Sequence, residues 1–392
     1  MKTPTPSANS APRGDIIVHV LGRTDVGRTR EHNEDAFLVA DLTTGAVSDQ
    51  AEAVTYTLGP RGALFMVADG LGGAAAGEIA SGMAVDIVLQ EMRRTWASAP
   101  TSDPDAFAHA LKRACDLANT RIYEYAMKNP DHRGLGTTAT IAGLLGDTLY
   151  LVQVGDSRAY VVRDGVAQQI TKDQSLMQRL IEAGEMTPEE AEQSERKNII
   201  LQALGPEPTV KIDLTHQSVR RGDMLVLCTD GLSGQVRKDE ISRVVQAERD
   251  LTMAGQTLIN RANENGGPDN ITVVIAHFEG DGLAPPSRGD TVGHSVFELQ
   301  HATPATPRAP LRRISEKVRK VGGAPETQTE EPPAPVRVQS SRWNQLLLLA
   351  LAAALVIALV AFLYVRVRGA VSGAPVQPGA PAETSAGSTV PQ

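Results

Sequence analysis

Cysteine is nearly absent from this sequence: two residues, Cys115 and Cys228, among 392. They could close one disulfide at most. That excludes a disulfide-built scaffold and places the folded part in a reducing compartment. Each reads as a small buried hydrophobe. Histidine is also sparse, with eight residues, and none falls in an H-x-x-H or similar zinc spacing. His32 and His277 read as surface or packing residues. Positive charge is not in excess. The formal net charge is −8, which argues against nucleic acid as the main ligand, since phosphate backbones reward clustered Lys and Arg. The N-terminal stretch MKTPTPSANSAPRGD has no apolar h-region of a secretory signal, so residues 1–14 are expected to be a disordered lead-in. The Gly-rich stretch Gly70–Gly77 has neither a P-loop Lys-Ser/Thr pair nor the later ribose acid of a dinucleotide fingerprint, which argues against a nucleotide loop.

One long hydrophobic run is present. Residues 346–365, LLLLALAAALVIALVAFLYV, carry no charge. At 1.5 Å per residue such a helix spans about 30 Å, the thickness of a bilayer core. Trp343 and Tyr364 sit near its ends, as interfacial aromatics do. A single transmembrane helix is expected over 343–366, with a short disordered tail over 367–392. Arg312, Arg313, Lys317, Arg319, Lys320, Arg337 and Arg342 precede it, against Arg366 and Arg368 after it. The positive-inside rule then puts the N-terminal side in the cytoplasm, as a single-pass protein of the inner, cytoplasmic membrane. Residues 280–342 are rich in Pro, Ala and Thr and read as a flexible linker.

Between 15 and 279 strand-like and helix-like patterns mix. Apolar runs predict strands at 16–20, 36–40, 63–68, 138–145, 148–154, 158–163, 224–228 and 271–278. Helical spacing covers 78–96, 105–127, 174–184, 238–247 and 252–264. Gly146-Asp147 and Asp164-Gly165 are placed as hairpin turns, which imply antiparallel pairing. Strands and helices do not alternate regularly. The fold class is therefore α+β, with helices layered on antiparallel sheets.

Two segments share a pattern. Residues 64–73 read LFMVADGLGG and residues 225–234 read LVLCTDGLSG. An aspartate at the end of a buried strand is disfavoured unless something offsets its charge, and a cation does that. The glycine after it permits a tight turn that brings a backbone carbonyl to the ion. Gly155-Asp156 ends another apolar run, Asp269-Asn270 precedes one, and Glu34-Asp35 form an acid pair. Carboxylates without a Cys or His cluster favour hard cations, Mg²⁺ or Mn²⁺. Several carboxylates around two cations suit hydrolysis of phosphate esters. Arginine is the best group to hold the phosphate, and Arg28 and Arg30 stand just ahead of the acids.

At these residues the sequence resembles the metal-dependent serine/threonine phosphatases of the protein phosphatase 2C type, in their bacterial form. The motifs are TDVGRTREHNEDA (24–36), VADGLGG (67–73), GTTAT (136–140), VGDSRAY (154–160), TKDQSL (171–176), CTDGL (228–232) and GGPDNIT (266–272). The resemblance covers about 15–279. It implies a four-layer α-β-β-α sandwich of two antiparallel sheets flanked by helices. It implies that Asp69 bridges two metals, that the Gly70 carbonyl completes the second, and that Asp230 and Asp269 hold the first. Glu34 and Asp35 would contact metal-bound water, and Asp156 would hold a weaker third ion with Asp230. Arg30 would grip the substrate phosphate, which makes Arg30, Asp69 and Asp230 the implied catalytic residues. Asn270 would orient the loop around Asp269. The implied reaction is direct attack of a metal-bound hydroxide, without a phosphoenzyme. The implied partners are phosphoproteins, namely serine/threonine kinases and their substrates, and a monomer is expected. Two positions depart from the family pattern. Leu71 stands where animal members carry His, and Gln174 where a His is usual. Residues 175–205 match the family's mobile flap, with SERKN (194–198) as its unusual part.

Overall fold

The computed structural model describes residues 14–48, 51–72, 76–132 and 134–299. The strands and helices follow the hydrophobic pattern closely. In chain order they begin with β1 (Ile17–Asp25), β2 (Ala36–Asp41), β3 (Val47–Ser48), β4 (Val54–Thr57), β5 (Ala63–Ala68) and β6 (Gly70–Leu71). Two helices come next, α1 (Ala76–Met92), extended by a π turn over Arg93–Ala97, and α2 (Pro104–Lys128). Then come β7 (Gly136–Thr137), β8 (Ala139–Leu145), β9 (Thr148–Val154), β10 (Arg158–Arg163) and β11 (Val166–Gln169). Short helices α3 (Leu176–Glu182) and α4 (Pro188–Glu192) lead to β12 (Asp213–Ser218) and β13 (Met224–Cys228). The last elements are α5 (Asp230–Ser233), α6 (Lys238–Ala247), α7 (Leu251–Glu264) and β14 (Ile271–Glu279).

The long strands form two antiparallel sheets. The first has the order β11-β10-β13-β14-β1-β4, the second β12-β9-β8-β5-β2-β3. Three cores stack through the fold. The middle core lies between the sheets and takes Phe65 and Val67 from one and Leu225, Leu227, Val274 and Phe278 from the other. The outer core of the second sheet joins Leu64, Met66 and Ala68 to α1 and α2 through Ala80, Val88, Leu111 and Ala118. The outer core of the first sheet joins Val226, Cys228, Val273 and Ile275 to α6 and α7 through Ile241, Leu258 and Ala262. Alternate residues of β5, β13 and β14 thus enter different cores. That is why these strands read as unbroken apolar runs rather than as alternation. Each fully buried Phe, Leu or Ile contributes about 1.5–3 kcal/mol.

Turn chemistry fixes the hairpins. Asp164 and Gly165 both have positive φ, 48° and 87°, as a two-residue turn with the twist of its strands requires. Asp103 caps α2 by accepting from the Ala106 N–H, with Pro104 in its first turn. Cys115 and Cys228 are buried and free.

Two expectations are affected by the structure. The folded part does not stop at 279. Residues 280–299, assigned to the linker, run back over the domain. Leu283 is 1% exposed. Arg220 pairs with Asp290 at 2.8 Å. Phe297 packs edge-on against Tyr150 and His216. The main chain of 295–297 bonds to β12 through His216 N–H to the Ser295 carbonyl and Phe297 N–H to the Leu214 carbonyl, both 2.9 Å. The expected membrane helix over 343–366 lies outside the described residues, as do the lead-in through 13 and the tail. Among the described residues no helix is long and apolar enough to cross a membrane.

Candidate metal centre

Packing of the two sheets face to face sets the C-terminal end of β5 across from the C-terminal end of β13 and the N-terminal end of β14, so acids from distant parts of the chain meet there. Asp69 follows β5 directly, and its backbone is clamped. Its N–H donates to Thr138 Oγ1 at 2.9 Å. Its carbonyl accepts from the Thr138 N–H at 2.9 Å and from the Thr137 hydroxyl at 2.9 Å. Thr138 Oγ1 also meets Ser157 Oγ at 2.8 Å. Ser157 is the neighbour of Asp156, so one buried threonine couples the two aspartate loops.

Asp230 opens α5, just past Thr229. Thr229 Oγ1 accepts from the Thr272 N–H at 3.0 Å and donates to Asp35 Oδ2 at 2.8 Å. Asp269 precedes β14 and accepts from Arg30 Nη2 at 2.8 Å. Arg30 is exposed; Arg28 is exposed too, and its N–H donates to the Gly267 carbonyl at 2.7 Å. Asn270 does more than steady the Asp269 loop. Its Nδ2 donates to the carbonyls of Val26 and His32, both at 2.9 Å. Its Oδ1 accepts from the Glu34 N–H at 2.8 Å. One side chain therefore holds the loop that carries Arg30 and Glu34. Glu34 is buried against α1, where a Cβ on Gly77 would stand 2.8 Å from its Cδ. Gly70 is held beside it by its N–H to the Glu34 carbonyl at 3.2 Å.

The electrostatics show that these acids converge. Burial pushes Asp69 well above the usual carboxylate range, and Asp35, Asp230, Asp156 and Asp269 push it further. Burial raises Asp35 to about 7, opposed by hydrogen bonds from Thr272 and Thr229 and assisted by Asp230 and Asp269. Burial raises Asp156 to about 7, helped by Asp230 and Asp173. Asp230 is raised by burial and then by Asp269. Asp35, Asp69, Asp230 and Asp269 keep an edge open to solvent, while Asp156 is 7% exposed. Two buried oxygens, Asp156 Oδ1 and Asp230 Oδ1, have no hydrogen-bond partner among the described residues. Buried carboxylate oxygens without donors are costly unless a cation serves them. The donor set is all oxygen, which fits Mg²⁺ or Mn²⁺.

Some residues of the site had no assigned chemistry in the sequence. Gln174 is the main one. Its N–H donates to the Gly155 carbonyl at 2.8 Å, and its Oε1 accepts from the Gly155 N–H at 3.0 Å. Its Nε2 reaches Asp213 Oδ2 at 3.0 Å. Arg158 grips Asp173 with Nε at 2.9 Å and Nη2 at 2.7 Å, next to Asp156. Thr138 and Thr229 lie inside recognisable motifs, but a lone threonine carries no signal of what it will bond. The expected flap, 175–205, is pinned at its base by the Leu176 N–H to the Ile199 carbonyl at 2.9 Å and the Leu201 N–H to the Gln174 carbonyl at 2.7 Å.

Comparison with known proteins bears on the family and the fold. Residues 42–272 match the family described as Protein phosphatase 2C. The chain belongs to the protein phosphatase 2C family. Arg30, Glu34 and Asp35 precede the matched span. A serine/threonine phosphatase stp of Listeria innocua is 34% identical over 258 residues, which cover 66% of this chain and 95% of the relative. The structure of the S. agalactiae serine/threonine phosphatase is 33% identical with a TM-score of 0.58, covering 66% of this chain and 98% of that one. The catalytic domain of the serine/threonine protein phosphatase PstP, crystallised with 2 manganese ions, is 34% identical with a TM-score of 0.54, covering 67% of this chain and 99% of that one.

Proposed function

We infer that this chain removes phosphate from phosphoserine and phosphothreonine in proteins, with two Mn²⁺ or Mg²⁺ ions. The observation that carries it is the pair of buried oxygens on Asp156 and Asp230 that find no partner among the described residues, within a convergent set of acids. Family membership and the serine/threonine phosphatase names of the relatives support the same reaction.

Asp69, Asp230 and Asp269, with the Gly70 carbonyl, would hold two ions. Asp156 with Asp230 would hold a weaker third, and Glu34 and Asp35 would face the ions' water. When bound, such ions acidify water and offset the phosphate's charge. The chain's own groups do the rest. Arg30, now on Asp269, offers a guanidinium fork to two phosphate oxygens. Asn270 sets the loop on which Arg30 stands. Thr138 accepts from the Asp69 main-chain N–H and Thr229 donates to the Asp35 carboxylate, which places the Asp69 backbone and the Asp35 side chain before charge develops.

We also propose, from the sequence, that 343–366 anchors the chain in the cytoplasmic membrane with the phosphatase domain in the cytoplasm. Serine/threonine kinases and their targets at the membrane are then the favoured substrates. A tether raises effective concentration toward such neighbours. A chain lacking residues 340–392 keeps full activity on a small phosphoester and acts more slowly on membrane-bound phosphoproteins; equal loss on both sinks the tether.

The deciding experiment is hydrolysis of a phosphothreonine peptide with Mn²⁺, with EDTA, and by Asp230→Asn. Turnover should need the metal and vanish in the variant. Folded protein without turnover under any metal would overturn the enzyme and leave a phosphoprotein-binding scaffold.

A further inference from the structure

His19 and His277 are separated by most of the domain in sequence, yet β1 and β14 place them directly opposite each other. Their rings stack with centroids 5.8 Å apart. Glu279 is two residues beyond His277, so it projects from the same face of the strand. Its carboxylate lies between the two imidazoles, with Oε2 at 3.3 Å from His19 Nε2 and Oε1 at 3.8 Å from His277 Nε2. One donor atom from each of the three residues lies within 4.8 Å of the other two. Two ligands at about 2.0–2.1 Å from a tetrahedral ion stand about 3.3 Å apart, so small side-chain shifts would close this set on one ion.

The neighbouring strand supplies an outer support. β4 sets Thr55 opposite His19 on the other side. Thr55 Oγ1 lies 2.8 Å from His19 Nδ1. With Nδ1–H donating there, Nε2 keeps its lone pair free on the side of Glu279 and His277. Metal-binding histidines carry such a partner on their second nitrogen. The three side chains are 28–48% exposed, open to an ion from solvent.

We propose that His19, His277 and Glu279 form a second metal site, for a borderline transition-metal ion such as Zn²⁺. It is not part of the carboxylate centre. Along β14, His277 lies six residues from Ile271, about 20 Å at strand spacing. The donor chemistry also differs. Two imidazoles and one carboxylate select Zn²⁺, Ni²⁺ or Cu²⁺, whereas the aspartate cluster selects Mg²⁺ or Mn²⁺. Bound there, the ion would cross-link β1 to β14 and leave its fourth position to water. The rival is a plain ion pair between a protonated histidine and Glu279, which takes up no metal.

The test is Zn²⁺ titration of the untagged full chain in saturating Mn²⁺, by calorimetry and by competition with a chromogenic chelator. One Zn²⁺ should bind beyond the Mn²⁺ complement. Affinity should fall at least tenfold in His277→Ala and in Glu279→Gln, and less in Thr55→Val. Mn²⁺-supported turnover should be unchanged in all three, and metal-free melting reads whether each is folded. Glu279→Gln, at an exposed strand end, decides the matter if His277→Ala is unstable. No Zn²⁺ uptake beyond Mn²⁺, uptake unchanged in the variants, or uptake abolished by Asp69→Asn but kept in His277→Ala would overturn the site.

Discussion

Gln174 and Gly155 hold each other by two hydrogen bonds, backbone to backbone at 2.8 Å and backbone to side chain at 3.0 Å. Gly155 has φ 99° and is followed at once by Asp156. The side chain at 174 thus holds the backbone turn that leads into Asp156. Gln174→Ala leaves the Gly155 N–H without its acceptor, at a cost of about 1–3 kcal/mol. Thermal melts should show that loss. Turnover should fall more at low Mn²⁺ than at saturating Mn²⁺, because the position of a metal-binding residue is disturbed. A uniform drop at all Mn²⁺ concentrations would argue that Gln174 only stabilises.

Asn270 makes three hydrogen bonds to the 26–34 loop, two of them to carbonyls. Asn270→Asp keeps the shape but turns an oxygen towards the carbonyls of Val26 and His32. We expect a destabilisation of at least about 2 kcal/mol. Peptide turnover should fall more than tenfold, because Arg30 loses its platform. Urea unfolding and steady-state kinetics with and without the substitution check both numbers.

The buried acids make the metal-free protein lose stability as pH rises towards neutrality. Asp35 and Asp156 bind protons in the fold up to about pH 7, and in the unfolded chain only up to about 4. Over that window the native state holds more protons, so stability falls as pH rises. Asp69 and Asp230 act in the same direction. The melting temperature of EDTA-treated protein should therefore decline from pH 5 to pH 8. With Mn²⁺ present the decline should flatten, since the ion replaces the protons. A melting temperature that rises over this range without metal would contradict the burial of these groups.

The domain boundary is testable by truncation. A chain ending at Glu279 loses Leu283, which is 1% exposed, and the stack of Phe297 on Tyr150. Burial of the leucine alone contributes about 1.5–3 kcal/mol. The chain ending at Leu299 should melt several degrees above the chain ending at Glu279. Identical melts would restore the shorter domain.

Much of this was legible in the sequence. The inner strands are buried on both faces, and the runs at 63–68 and 224–228 match β5 and β13 residue for residue. Asp69, Asp156, Asp230 and Asp269 were legible because a carboxylate at the end of such a run is anomalous. The edges were not. β12 reads DLTHQS and β4 reads VTYT, too polar or too short to separate from loop. Residues 280–299 look like linker because their Pro, Gly and Ser content hides four anchoring residues, Leu283, Asp290, Val292 and Phe297. The role of Gln174 depends on backbone partners that no spacing rule describes. The pairing of His19 with His277 depends on strand register across 258 residues, and sequence proximity says nothing of it.

The short run 295–297 along β12 has a consequence for how the molecule behaves in a crowd. β12 is the outermost strand of its sheet, and such edges invite pairing with another chain. Here the main chain of Ser295 and Phe297 takes up donors and acceptors of β12 before a neighbour can. The first residues after the catalytic strands therefore act as a guard against self-association. A preparation trimmed too close to β14 would be prone to precipitate even while its active centre is intact.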